Sequence, residues 1–193
     1  NLELSGAVSS YGQTEEKGAN LAVKEINAAG GIDGKKIEVI TKDNKSETAE
    51  AATVATSLAS EGANVVIGPA TSGASAASIP ALTSAGVPMI SPSGTQTNLV
   101  ENDKGEVQEY FFRTTFTDGY QGEIMAKYAT ENFSAKKVVL YFDNSSDYGK
   151  GVAEAFKKAY TGEIVSEITF ASGDKDFQAA LTKLKDKEFD AII

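Results

Sequence analysis

The feature that most constrains this chain is its repeated switch between helical and strand periodicity. Ala19, Ala22, Val23 and Ile26 fall at i, i+3, i+4 and i+7, which predicts a helix with one buried face. Gly30 and Gly31 stop it. Ile37, Val39 and Ile40 predict a short strand ending at Asp43 and Asn44. Ala51, Val54, Ala55 and Leu58 repeat the helical spacing, and Gly62 closes that helix. Val65, Val66 and Ile67 form a continuous apolar run, as expected of a parallel strand buried on both faces, ended by Gly68 and Pro69.

The alternation continues. Residues 72–85 place Ala74, Ala77, Ala81, Leu82 and Ala85 on one helical face, with Pro80 predicting a kink or a late start. Residues 87–91 read as a strand, 95–108 as a polar loop with room for one helical turn, and 110–114 as a strand. Ile124, Met125, Tyr128 and Ala129 mark the next helix, and 138–142 the next strand. Val152, Ala155, Phe156 and Ala159 then predict a helix, 164–170 a strand, Phe177, Leu181 and Leu184 a helix, and 189–193 a further strand.

Strands separated by amphipathic helices imply right-handed βαβ units and parallel sheets covered by helices on both faces. The fold class is therefore α/β. A seam falls near residues 115–119, where one strand ends and a fresh series begins, dividing the chain into lobes 1–116 and 117–193. The length of 193 residues accommodates one large or two small domains.

Composition narrows the chemistry. The chain contains no His, no Cys and no Trp. Disulfides, thiol nucleophiles, an imidazole base and the usual transition-metal sites are thereby excluded, which tilts the reading from catalysis toward binding. The net charge of −9 argues against nucleic acid, since phosphate binding needs clustered Lys and Arg. No apolar run approaches the ~18 residues of a membrane span, and no signal-peptide pattern opens the sequence. If the protein is exported, the sequence is expected to be its mature part.

Ligands in open α/β sheets bind beyond the carboxyl ends of the strands, so the segments after the strands are the places to search. Gly68-Pro69-Ala70-Thr71-Ser72-Gly73-Ala74 leads from a strand into a helix, where free amides and the positive dipole end suit an anion and Ser72 adds a hydroxyl. Pro92-Ser93-Gly94-Thr95 is another small, hydroxyl-bearing turn, and 143–149 follows a later strand. Tyr11 and Gly12 precede the first helix. Each has a plainer reading: Ser72 and Thr95 as helix caps, Tyr11 and Tyr148 as half-packed surface rings. The oxygen-rich 144–148 segment lacks the loop spacing of a calcium site, and 31–36 resembles a phosphate loop only superficially. Asn44, Asn132 and Asn144 sit in short sequons of the kind that recur by chance.

In their order these pieces resemble the periplasmic branched-chain amino-acid-binding proteins, the type I solute-binding receptors of ABC importers. The likeness begins with Tyr11-Gly12, Gly18-Ala19 and Ala22-Val23-Lys24-Glu25-Ile26-Asn27-Ala28-Ala29-Gly30-Gly31-Ile32. It continues through Val66-Ile67-Gly68-Pro69, Gly86-Val87-Pro88-Met89-Ile90-Ser91-Pro92 and Phe112-Arg113-Thr114-Thr115. Asp118 with Gln121-Gly122, Asp147-Tyr148-Gly149-Lys150-Gly151 and Gly173-Asp174-Lys175-Asp176-Phe177 extend it over essentially the whole chain.

The resemblance implies two Rossmann-like lobes of the type I periplasmic-binding-protein fold, with an amino acid held between them. It implies that Ser72 binds the ligand carboxylate, that Thr95 and the Ser93 backbone carbonyl take the ammonium, and that Tyr11 and Tyr148 line the pocket. No Arg or Lys lies in these turns, so a dianionic ligand would be poorly neutralised. Compared with that family, the chain is expected to be truncated at both ends. Only residues 1–4 match its first strand, the rest of the second lobe and the acidic partner of the ammonium are missing, and residue 193 falls inside a strand pattern. The function expected is capture of a small apolar, branched-chain amino acid and its delivery to an ABC importer permease, outside the cytoplasm, in the periplasm or as a surface lipoprotein. No catalysis, cofactor, metal or nucleic acid is expected, and membrane contact only through an anchor or the permease. The alternative is a ligand-sensing domain of the same fold in a receptor or regulator.

Overall fold

The computed structural model describes residues 1–102 and 104–193; Asp103, inside the loop expected over 95–108, lies outside them. The chain divides into two compact α/β units, Asn1–Thr115 and Phe116–Ile193.

In the first unit, α1 spans Ser9–Ala28, α2 Thr48–Ser60 and α3 Ser72–Ala85. Three short parallel strands, β1 (Val66–Ile67), β2 (Met89–Ser91) and β3 (Phe111–Arg113), form a sheet in the order β1-β2-β3. Val66 pairs with Met89 and Ile90 with Phe112. The core comprises Val54, Ala55 and Leu58 of α2, Ile79 and Leu82 of α3, and Val66, Met89 and Phe111 of the strands. Each large apolar side chain buried there contributes about 1.5–3 kcal/mol. Leu2 pairs in parallel with Asp43, and the Asn1 amino group donates to the Ile67 carbonyl, so the chain start lies beside the end of β1.

Several expectations are corrected. The strand expected from Ile37, Val39 and Ile40 is absent; only the Leu2–Asp43 bridge forms, and Asn27 instead takes both backbone groups of Ile37. A strand is stable only where a neighbour completes its ladder. The α1 helix forms, but of its residues only Gly12 is buried, while Leu21 and Ile26 are exposed. Val66 is buried, yet Val65 and Ile67 are 48% and 41% exposed, so β1 is not covered on both faces. Pro80 lies inside α3 without delaying its start, and the buried side of that helix is made by Ser72, Ala74, Ser75, Ser78, Ile79 and Leu82 rather than by an alanine stripe. The turn within 95–108 is a 3-10 turn at Thr97–Leu99. The phosphate-loop-like stretch is a tight hairpin, with Ile32 bridged to Lys35 and Asp33 and Gly34 at φ of 49° and 75°.

In the second unit, α4 (Asp118–Phe133), β4 (Lys137–Asp143), α5 (Asp147–Ala159), β5 (Glu163–Phe170), α6 (Gln178–Leu184) and β6 (Ala191–Ile192) follow in order. The parallel sheet runs β5-β4-β6. Alternation along β4 directs Val138 and Leu140 to α4 and α5, where Ala126, Ala129, Ala153 and Phe156 lie, and Val139 to the other side with Ile168 and Leu184. The helix marked by Ile124, Met125, Tyr128 and Ala129 forms as α4; Ala129 is buried with Gly122 and Ala126 and Met125 packs against them, while Ile124 and Tyr128 are exposed. Small residues are needed because a Cβ at Gly122 would lie 2.5 Å from the Ala155 Cβ. That close approach of two helices overrides the pull of the larger apolar residues toward the interior.

Candidate ligand-binding site

The polar interior of the first unit lies at the carboxyl ends of β1 and β2. Two turns meet there: 68–71, which leads into α3 and contains a cis Gly68–Pro69 peptide, and 91–97, which follows β2. The Ser91 hydroxyl donates to the Pro69 carbonyl at 2.6 Å and accepts the Gly94 amide at 2.9 Å. Ser75 of α3 also donates to the Pro69 carbonyl. Arg113 of β3 donates to the carbonyls of Gly94, Gln96 and Thr97, holding the second turn from the far side. No Arg or Lys lies within the turn, as expected; Arg113 reaches its carbonyls from the next strand.

The expected site residues divide between the units. Ser72, Ser93 and Thr95 come together in the first. Ser72 is buried at the first position of α3, where its Oγ accepts the Gln96 amide at 3.2 Å. It does not act as a cap: the cap position is Thr71, without a side-chain cap bond. Thr95 is buried beside that interlock. The Ser93 hydroxyl lies 2.8 Å from the Ala70 carbonyl and 2.5 Å from Glu15 Oε1. Tyr11, 59% exposed, stands in the first turn of α1, one turn before Glu15 on the same helical face.

Tyr148 belongs to the second unit. It is exposed in the first turn of α5, and its hydroxyl accepts from Gln121 Nε2 at 2.9 Å. Ser146 caps that helix by accepting the Gly149 amide. Asp143 Oδ1, just before the oxygen-rich segment, accepts the Ser145 amide and hydroxyl. Among the described residues no group of three or more His, Cys, Asp or Glu could hold a metal ion.

Two carboxylates at this site did not emerge from the spacing of the sequence. Glu3 is fully buried and accepts the Ala70 amide, the Thr71 amide and the Thr71 hydroxyl at 2.8–3.0 Å. It thus takes two of the amides expected to be free, and those of Ser72, Gly73 and Ala74 remain ahead of the first helical bond, from Ser75 to the Thr71 carbonyl. Glu15 has its pKa raised, first by burial and then by the nearby charge of Glu3, against opposing contributions from Ser93 and the Asn1 amino group. Its position four residues after Tyr11 was the available signal. Glu3 gave none, because its partners are 67 and 68 residues away.

The arrangement suits a small zwitterion. Hydroxyls and first-turn amides at Ser72–Ala74 can receive a carboxylate, while carbonyls and the Thr95 oxygen can accept from an ammonium.

Known proteins resemble this chain over nearly its whole length. A family model described as "Periplasmic binding protein" matches residues 2–193. A Leu/Ile/Val-binding protein homologue of Brucella melitensis is 37% identical over 94% of this chain and 49% of its own length. A branched-chain amino acid transporter substrate-binding protein, LivJ from Streptococcus pneumoniae, solved with isoleucine, is 60% identical with a TM-score of 0.90, covering 100% of this chain and 54% of that one. A solute-binding protein of an ABC transporter from Rhodopseudomonas palustris, solved with 3,4-dihydroxybenzoic acid, is 28% identical with a TM-score of 0.84, covering 99% of this chain and 51% of that one. The chain spans about half the length of the curated relatives it matches. With parallel α/β units, a polar turn pair at the strand ends and a family match over nearly every residue, the chain belongs to the periplasmic binding protein family.

Proposed function

We propose that this chain carries the amino-acid-capturing turns of an extracytoplasmic solute-binding receptor that delivers a branched-chain amino acid to an ABC importer permease. The observation that carries the proposal is the interlock of the 68–74 and 91–97 turns, with Ser72 accepting the Gln96 amide and Ser93 and Thr95 beside it. Ser72 and the first-turn amides of α3 are assigned to the ligand carboxylate, and Thr95 and the Ser93 carbonyl to the ammonium. Tyr11 and Tyr148 are assigned as contacts to the ligand's apolar part. The isoleucine held by the 60% identical pneumococcal protein supports an aliphatic ligand. The role is binding and release without a chemical step. Membrane contact is assigned to the permease or an anchor; no helix among the described residues is long and apolar enough to cross a membrane.

Calorimetric titration with isoleucine, leucine, valine, glutamate, lysine and 3,4-dihydroxybenzoate tests this reading. Binding of the aliphatic amino acids, weakened about tenfold by Ser72→Ala or Thr95→Ala through loss of one hydrogen bond, supports it. Binding of the aromatic acid alone, or of none of the aliphatic amino acids, overturns it.

A further inference from the structure

The Ser93 hydroxyl has one proton and two acceptors. Its oxygen lies 2.8 Å from the Ala70 carbonyl and 2.5 Å from Glu15 Oε1, and both neighbours, if Glu15 is a carboxylate, can only accept. One contact would then be a short oxygen–oxygen approach without a proton. The other carboxyl oxygen, Glu15 Oε2, is buried and has no hydrogen-bond partner among the described residues. An ionised carboxylate with one oxygen so placed is costly, whereas the carbonyl oxygen of a neutral acid is far less so. Glu3, whose two oxygens accept three bonds from Ala70 and Thr71, adds a like charge.

We propose that Glu15 is a positioning residue that works as a neutral acid, donating its proton to Ser93 Oγ so that Ser93 can donate to the Ala70 carbonyl. This relay resolves the proton count: Glu15 Oε1–H to Ser93 Oγ, and Ser93 Oγ–H to Ala70 O. It ties α1 to both site turns at once. Ser93 is held from α1, Ala70 is held on its carbonyl side by Ser93, and on its amide side by Glu3. The Ser93 carbonyl, assigned above to the ligand ammonium, is thereby oriented by a residue that need not touch the ligand. The raised pKa of Glu15, caused first by burial, agrees with the geometry. The role of the relay in ligand affinity rests on the receptor reading; the proton on Glu15 does not.

The first test therefore needs no ligand: titration of the Glu15 side-chain carboxyl in the full chain by carbon-13 NMR. A carboxyl still protonated at neutral pH, well above the ordinary glutamate range, supports the relay, and one ionised at neutral pH overturns it. The second test is isoleucine titration across pH. Affinity should fall as pH rises through the Glu15 midpoint, be about tenfold weaker in Glu15→Ala, and be largely restored without that pH dependence in Glu15→Gln, whose amide can donate to Ser93. A Glu15→Gln variant as weak as Glu15→Ala overturns the positioning role. A raised NMR midpoint in a chain that binds no amino acid supports the relay while overturning the receptor reading, which keeps the two apart.

Discussion

The two units use their buried space differently. In the first, the ends of β1 and β2 are joined by directional bonds: Ser91 and Ser75 to the Pro69 carbonyl, Glu3 to the Ala70 and Thr71 amides, Ser72 to the Gln96 amide. Glu3, Asn44, Ser72, Ser75, Ser78, Ser91 and Thr95 are all buried there. In the second, Asp118 is the buried polar side chain among the described residues, and the interior is Val138, Val139, Leu140, Phe156 and small residues of α4 and α5. The strands differ in the same sense, with β4 and β5 running seven and eight residues against two or three in the first sheet. An internal hydrogen bond nets only about 1 kcal/mol, against about 1.5–3 kcal/mol for a large buried apolar side chain. The first unit thus adds fixed turn geometry to an apolar core of its own, whereas the second relies on its apolar core alone. That is the division expected if the amino-acid site proposed above lies at the first unit's turns.

Removing the central ring of the second unit should have the largest effect. Phe156 is fully buried and stacked on Tyr160 at 5.0 Å, so Phe156→Ala is expected to cost about 4 kcal/mol in urea unfolding. A cost below that of the polar substitutions would break the contrast. Next, Glu3→Gln keeps the volume but sets an amide donor against the Ala70 and Thr71 amides, and should cost about 2 kcal/mol by the same measurement. Ser146→Ala, which removes only the cap of α5, should cost about 1 kcal/mol and leave the apolar interior intact.

The smallest effect is a slope. Glu15 has its pKa raised by folding, so the native state holds that proton more tightly than the unfolded chain does. The stability it contributes is present below the unfolded value of about 4.3 and is lost as pH rises through the native midpoint. Thermal unfolding across that window should show a falling midpoint in the parent chain, and Glu15→Gln should flatten it.

Much of the fold was legible because periodicity is local. The β4 and β5 strands, the α5 helix and the short α6 follow patterns that lie within one stretch of sequence. Faces were legible less often. The spacing of Ile124 and Tyr128 marks the α4 helix but not its buried side, which close packing at Gly122 and Ala155 reserves for small residues. Ile37, Val39 and Ile40 have strand composition without a strand's neighbours. At the candidate site, Ser72, Ser93 and Thr95 were legible as hydroxyls in turns after strands. Glu3 and Arg113 were not, because each acts on backbone brought near by pairing elsewhere in the chain.

By itself the sequence determined the α/β class, the positions of most helices and strands, the absence of imidazole and thiol chemistry, and the two turns that carry hydroxyls. These depend on residue type and short spacing, which no distant contact can change. Only the tertiary structure decided that Glu3 occupies the Ala70 and Thr71 amides, that Arg113 holds the second turn, and that Glu15 and Ala70 share one serine. Hydrogen bonds depend on distances of a few ångströms between residues tens of positions apart, and those distances exist only once the sheet has set its strand order.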